Sequence, residues 1–217
     1  MDAKSFYDEF ISRVKEDYIA TAEMIPSFPE FVGKSFDWIY REKQAAYTEL
    51  VNKYVVAGII EDAYPVDDPR HLVAQHEYFR IDTIGYLHRY MEMPAEEAET
   101  HGLNRHFWDL KIAVEHENSK ADWMDEVIKL THIRCPLKVI IAYNYYDERP
   151  EGDIEKLNYV ARWMTRVSAY DVNAEEEILA IIGNGASRRN KSLQYDQFGY
   201  RGYLFDKNLA SFSELLG

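Results

Sequence analysis

One stretch of the chain, residues 108–143 (WDLKIAVEHENSKADWMDEVIKLTHIRCPLKVIIAY), restricts the fold more than any other. It reads as strand, helix, strand, a crossover that builds a sheet with helices packed on it. From Trp108 to Asn118 the residues alternate. Leu110, Ile112, Val114 and His116 point one way, while Asp109, Lys111, Ala113, Glu115 and Glu117 point the other. Same-face neighbours on a strand lie roughly 6.5–7 Å apart. Glu115 and Glu117 therefore project side by side at the end of an otherwise apolar strand. Two carboxylates so placed repel each other unless positive charge lies between them, and a divalent cation is the usual answer.

The rest of the chain is read around that unit. Apolar residues at three- and four-residue spacing predict an N-terminal helix over 3–24, broken by the prolines of PSFPEF (26–31). Ser35 suits an N-cap for a second helix over 36–57, with Gly58 as its C-terminal signal. Residues 77–90 predict one strand, with Tyr78, Arg80, Asp82 and Ile84 on one face. A polar connection with a short helix over 95–100 leads to the 108–118 strand. A helix over 120–132 follows, with Asn118 or Ser119 as its cap and Asp122, Glu126 and Lys129 facing out. Residues 137–145 form a strand buried on both faces. A helix over 154–170, a strand over 176–186, a basic aromatic stretch over 187–206 and a short helix over 209–216 complete the chain. The expected fold is a single α/β domain over 1–217, a mixed central sheet flanked by helices. Its core spans about 36–182, with the N-terminal helix packed on it.

Composition narrows the function classes. No run of 18 apolar residues is present, so no membrane span is expected. The first residues, MDAKSFYDEF, lack the pattern of a secretory signal, and Cys135 is the one cysteine. A cytoplasmic location is the expectation. The formal charge of −13 opposes nucleic-acid binding in bulk, although local patches or bound metal can invert the field of a site. The histidines show no helical zinc spacing and no GxSxG elbow occurs, which argues against a zinc protease and a serine hydrolase.

Asp82 lies mid-strand, where aspartate is disfavoured. Pairing with Arg80 or another base at a sheet edge would explain it. If its strand pairs with that of Glu115 and Glu117, three carboxylates converge and can bind Mg²⁺ or Mn²⁺ through oxygen. His116, on the apolar side, reads as a satisfied core histidine. Glycines 183 and 185 precede Arg188, Arg189 and Lys191. With Arg201 and interleaved tyrosines these bases are a candidate nucleic-acid surface, or a solvated basic loop.

An Asp in RIDTIGY, an apolar strand ending VEHEN, a helix and a buried strand together resemble the PD-(D/E)XK nuclease superfamily over about residues 36–143. The resemblance is one of order and spacing. It implies a restriction-endonuclease-like core (helix, three strands, helix, strand) and a Mg²⁺- or Mn²⁺-dependent nuclease acting on DNA or another nucleic acid. It also implies a homodimer, since many members cut both strands as dimers. Asp82 and Glu115 would be metal ligands. Glu117 stands where the superfamily usually has lysine, and would be a third ligand or a water-orienting base. Lys129, on the following helix, could supply the displaced lysine, and Glu49 is preferred to Glu42 as the helix carboxylate. Two other readings stand beside this one. A catalytically inactive member would serve as a binding or regulatory module. An ordinary α/β scaffold with a solvated acidic strand end predicts that the two strands do not pair at that point.

Overall fold

The computed structural model describes residues 1–15, 19–87, 94–102, 109–118, 123–145, 151–171, 175–185 and 199–215. Its centre is a mixed sheet of seven strands among these residues: β1 (Val73–Tyr78), β2 (Ile81–Leu87), β3 (Asp109–His116), β4 (Leu137–Tyr145), β5 (Glu177–Gly185), β6 (Arg201–Asp206) and β7 (Ser211–Glu214). They lie in sequence order. The middle strands β3, β4 and β5 are parallel; β1 and β2 on one flank, and β6 and β7 on the other, are added antiparallel. Helix α6 (Trp123–Thr131) links β3 to β4, and α7 (Glu151–Met164) links β4 to β5. Both cover the same face, as successive right-handed crossovers in one direction must.

The opposite face is covered by α1 (Ala3–Lys15), α2 (Phe36–Glu42) and a longer rod. That rod runs from α3 (Gln44–Leu50) through a π-helical segment (Val51–Val56) into α4 (Ala57–Glu61). Alternation on β4 divides the two layers. Leu137, Val139, Ile141 and Tyr143 enter the layer with Phe6, Phe10 and Leu50, while Ile140 and Ala142 enter the layer with Trp123, Leu157 and Met164. The expected mixed sheet with helices on both faces is present, and so is the short helix, α5 (Ala95–Thr100).

Several expectations give way to the structure. The first helix is described only to Lys15, and Ile19 instead bridges Ser35 in extended conformation. Ser35 does cap α2, its Oγ accepting the Trp38 N–H at 3.2 Å. The helix then breaks at Lys43, whose backbone is extended, and restarts. Gly58 lies inside α4 rather than at its end. A Cβ there would run into the Arg13 guanidinium, which crosses the helix to reach Asp62 at 2.9 Å. Where one strand was expected over 77–90, β1 and β2 form a hairpin that turns at Phe79 and Arg80, and residues 88–90 lie outside the described residues. A bulge near Gly85 and Tyr86 skips Lys111 in the β2–β3 ladder, so Leu110 packs on the α6 side with Ala113 rather than with Ile112. The expected C-terminal helix is β7, extended against β6.

Candidate functional site

The ends of parallel strands gather loops and polar side chains at one edge of a sheet, and β3 ends there with Glu115 and His116. Because β2 runs antiparallel to β3, its beginning lies at the same edge. The register Thr83↔Val114 places Asp82 opposite Glu115. The two strands therefore pair where a merely solvated acidic strand end required them apart. The Asp82 carboxylate accepts the His116 backbone N–H at 2.7 Å, and this bond, not one from Arg80, anchors it.

Glu115 is 2% exposed. Lys129 on α6 lies over it, Nζ 2.8 Å from Oε1. Lys129 also pairs with Glu126 one turn earlier and donates to the Arg80 carbonyl at 2.9 Å, so it faces the sheet edge rather than solvent alone. Burial pushes the Glu115 carboxyl up to about 8. The neighbouring Asp82 charge adds to this and Lys129 opposes it. Burial also raises Asp82, against the pull of the His116 N–H and of Lys129. Among the described residues, Lys129 is shared between Glu115 and Glu126 and also acts on Asp82.

Beside this pair opens a cavity of about 380 Å³ lined by Thr48, Glu49, Asn52, His76, Asp82 and Asn118. Glu49 shares this cavity with Asp82 and is paired with Lys53 at 2.6 Å. Glu117 continues the ladder, its N–H on the Ile141 carbonyl, and its charge is felt at Asp82. Asn118 accepts from Thr48 Oγ1 at 2.6 Å, which ties the end of β3 to α3. The first turn of the helix it was expected to cap, with Ser119, lies outside the described residues.

Sequence reasoning missed the polar layer behind the cavity. The π-helical segment turns Asn52 toward His116, 3.1 Å from Nδ1. His116 Nε2 meets Tyr143 Oη at 2.9 Å, which meets Tyr200 Oη at 3.1 Å, which meets Tyr47 Oη at 2.9 Å. All members are satisfied if His116 carries its proton on Nδ1, donates it to Asn52, and accepts from Tyr143. Burial holds His116 down to about 3 and lifts the three phenols well above their ordinary range, so the chain is uncharged. His116 is a satisfied core histidine. The signal for this chain was three tyrosines at alternate-face or helical spacing, which apolar periodicity absorbs without comment.

Farther along the same edge, Asn144 and Asn184 are register partners at the ends of β4 and β5. Asp153, fully buried, accepts from Arg201 Nε at 2.6 Å, Tyr203 Oη at 2.9 Å and Asn144 Nδ2 at 2.9 Å. Arg201 also donates to Asn184 Oδ1 and the Gly199 carbonyl, both at 2.7 Å. Its side chain is 14% exposed. This is an internal ion pair, and it occupies Arg201, which the sequence offered as a candidate for a nucleic-acid surface. Arg188, Arg189 and Lys191 lie outside the described residues. Gly183 lies within β5, where a Cβ would be 2.6 Å from the Tyr200 ring.

Among the described residues, no three His, Cys, Asp or Glu side chains come together as a ready-made metal cluster. Asp82 and Glu115 nonetheless fit a hard divalent ion. They are oxygen donors on facing strand positions, and the Glu115 carboxylate is buried. Mg²⁺ is commonly held by one or two carboxylates, with water and substrate phosphate completing its shell. No described helix is long and apolar enough to cross a membrane. Comparison with protein-family models, with curated proteins and with solved structures finds no match for the chain.

Proposed function

We propose that the protein is a metal-dependent phosphodiesterase of the PD-(D/E)XK type, with a restriction-endonuclease-like core, that hydrolyses DNA as a homodimer. The observation that carries this reading is the meeting of Asp82, Glu115 and Lys129 at one sheet edge, Lys129 Nζ lying 2.8 Å from Glu115. Lysine is absent from position 117, and a lysine from the next helix comes to the acidic strand end instead. The order of elements agrees: a helical rod, the antiparallel strands β1 to β3, helix α6, then β4 parallel to β3.

Asp82 and Glu115 would hold Mg²⁺ or Mn²⁺. When bound, the ion would polarise a phosphoryl oxygen and offset the charge that builds on it. Lys129 is the chain's own cation at this edge; freed from Glu115, it orients the attacking water and stabilises its developing negative charge. Glu117, two residues beyond Glu115, accepts the proton that water gives up. Glu49 holds solvent in the cavity next to Asp82.

A second reading, a catalytically inactive binding or regulatory module, is favoured by a different observation. Lys129 is already held by Glu115, Glu126 and the Arg80 carbonyl. The test is a calorimetric titration of Mn²⁺ into wild type, Asp82→Ala and Glu115→Ala, each checked for folding by circular dichroism. Saturable binding by wild type that weakens at least about tenfold in both variants supports the site. DNA cleavage that falls about a hundredfold in Lys129→Met, with Mn²⁺ binding retained, then assigns the lysine its role. A folded wild type that neither binds Mn²⁺ nor cleaves DNA sinks the nuclease reading.

A further inference from the structure

The β1–β2 hairpin turns beside the carboxylates in an unfavourable way. Tyr78 pairs with Ile81, so Phe79 and Arg80 are the two central residues of the turn. Both have positive φ, +47° and +65°, and Glu77 has +52°. Two-residue turns of this kind favour Asn-Gly or Asp-Gly, because side chains with a Cβ are strained there, bulky ones most of all. Here the strained position holds a phenylalanine that is 82% exposed. It adds nothing to either apolar layer. Tyr78 meets it edge-to-face, with ring centroids 4.5 Å apart at 88°, which fixes the ring while Arg80 stands exposed beside it. The turn is also tied to the site. Lys129 Nζ, on Glu115, donates to the Arg80 carbonyl at 2.9 Å.

We infer that Phe79 is a stacking platform for an unpaired nucleobase of the DNA strand whose phosphate sits at Asp82 and Glu115. An exposed aromatic next to a cation is the usual means of holding a base without reading its sequence, since every base presents a π-face. It suits an acidic protein, because stacking does not depend on net charge. This assignment rests on the nuclease reading and adds the part of the substrate that the carboxylate site leaves unheld.

The test uses a single-stranded oligodeoxynucleotide carrying 2-aminopurine, with Ca²⁺ in place of Mg²⁺ to hold off cleavage, and a parallel Mn²⁺ titration. Wild type is expected to bind and quench the fluorophore. Phe79→Ala should weaken binding about tenfold and lose the quenching, and Phe79→Trp should restore both. The double variant Phe79→Asn with Arg80→Gly relaxes the turn; it should melt higher than wild type and bind as weakly as Phe79→Ala. Binding by Phe79→Ala within about twofold of wild type overturns the inference. So does a double variant that melts lower, since the ring would then be structural. A wild type that binds Mn²⁺ but not the oligonucleotide overturns the stacking role and leaves the carboxylate site standing. One that binds neither removes both.

Discussion

Glu115 couples the site to stability, and the coupling has a definite sign. Burial raises its carboxyl to about 8 in the folded protein, above the ordinary glutamate range near 4. Between those values the folded state holds a proton that the unfolded chain has released, so stability falls as pH rises through that window. His116 works in the opposite sense. Its folded value of about 3 lies below the ordinary 6.5, so the unfolded chain binds the extra proton and stability rises as pH climbs through that range. The two slopes oppose each other where they overlap, and between about pH 6.5 and 8 only the Glu115 slope of the two remains. Glu115→Gln, which mimics the protonated acid, should therefore melt higher than wild type at about pH 9 and similarly at about pH 5. Thermal melts across that range check it, and a pH-independent difference would mean that Glu115 is ionised throughout. A divalent ion bound by Asp82 and Glu115 must displace that proton, so Mn²⁺ should stabilise wild type more at high pH than at low.

Elements were legible where one physical signal dominated. The β3–α6–β4 unit follows from apolar alternation, one amphipathic helix and a continuous apolar strand, and Asp82 and Glu115 were conspicuous as acids within strands. Lys129 was nameable from the same helix. What was missed lacked a local signal. Phe79 and Arg80 are not turn residues by type, so the hairpin read as one strand. Gly58 looked like a helix end because the Arg13 side chain that occupies its open side comes from 45 positions away. Residues 211–214 pair through backbone with β6, a tertiary contact that propensity cannot register. Gly183 is the clearest case: its reason is two aromatic rings from distant segments, Tyr143 and Tyr200, that a Cβ would meet at 2.9 and 2.6 Å. Rings cannot fold away as a long flexible side chain can. Gly183→Ala should thus lower stability by about 1–3 kcal/mol in urea unfolding, as overpacking does. It should also disturb the Tyr143–Tyr200–Tyr47 chain, visible as a change in near-ultraviolet circular dichroism. A variant as stable as wild type would mean that β5 shifts freely under its helices.

At the scale of the whole molecule, the question is what binds the antiparallel strands β6 and β7 to the parallel centre. Backbone pairing joins β6 to β5, but an antiparallel pair at a flank can fray independently of the core. Asp153 opposes that. From the first turn of α7 it receives Arg201 and Tyr203 of β6 and Asn144 of β4, and Arg201 reaches on to Asn184 of β5. Three elements therefore meet at one buried carboxylate, and Arg201 carries the network on to a fourth. Such a pair adds little relative to an apolar replacement, yet removing one partner leaves the other charge buried and uncompensated. Asp153→Ala should therefore cost about 3–5 kcal/mol. Asp153→Asn keeps one acceptor oxygen, for Tyr203 or for Asn144 but not for both, and loses the charge, so it should fall between. Because the network spans the sheet, wild type should unfold in one transition. Tryptophan fluorescence, to which buried Trp123 on α6 contributes, should change together with far-ultraviolet circular dichroism, which reports every strand. In Asp153→Ala the two signals should separate, circular dichroism falling first as β6 and β7 release. Coincident transitions in the variant, at a midpoint within about 1 kcal/mol of wild type, would show that backbone pairing alone secures that flank.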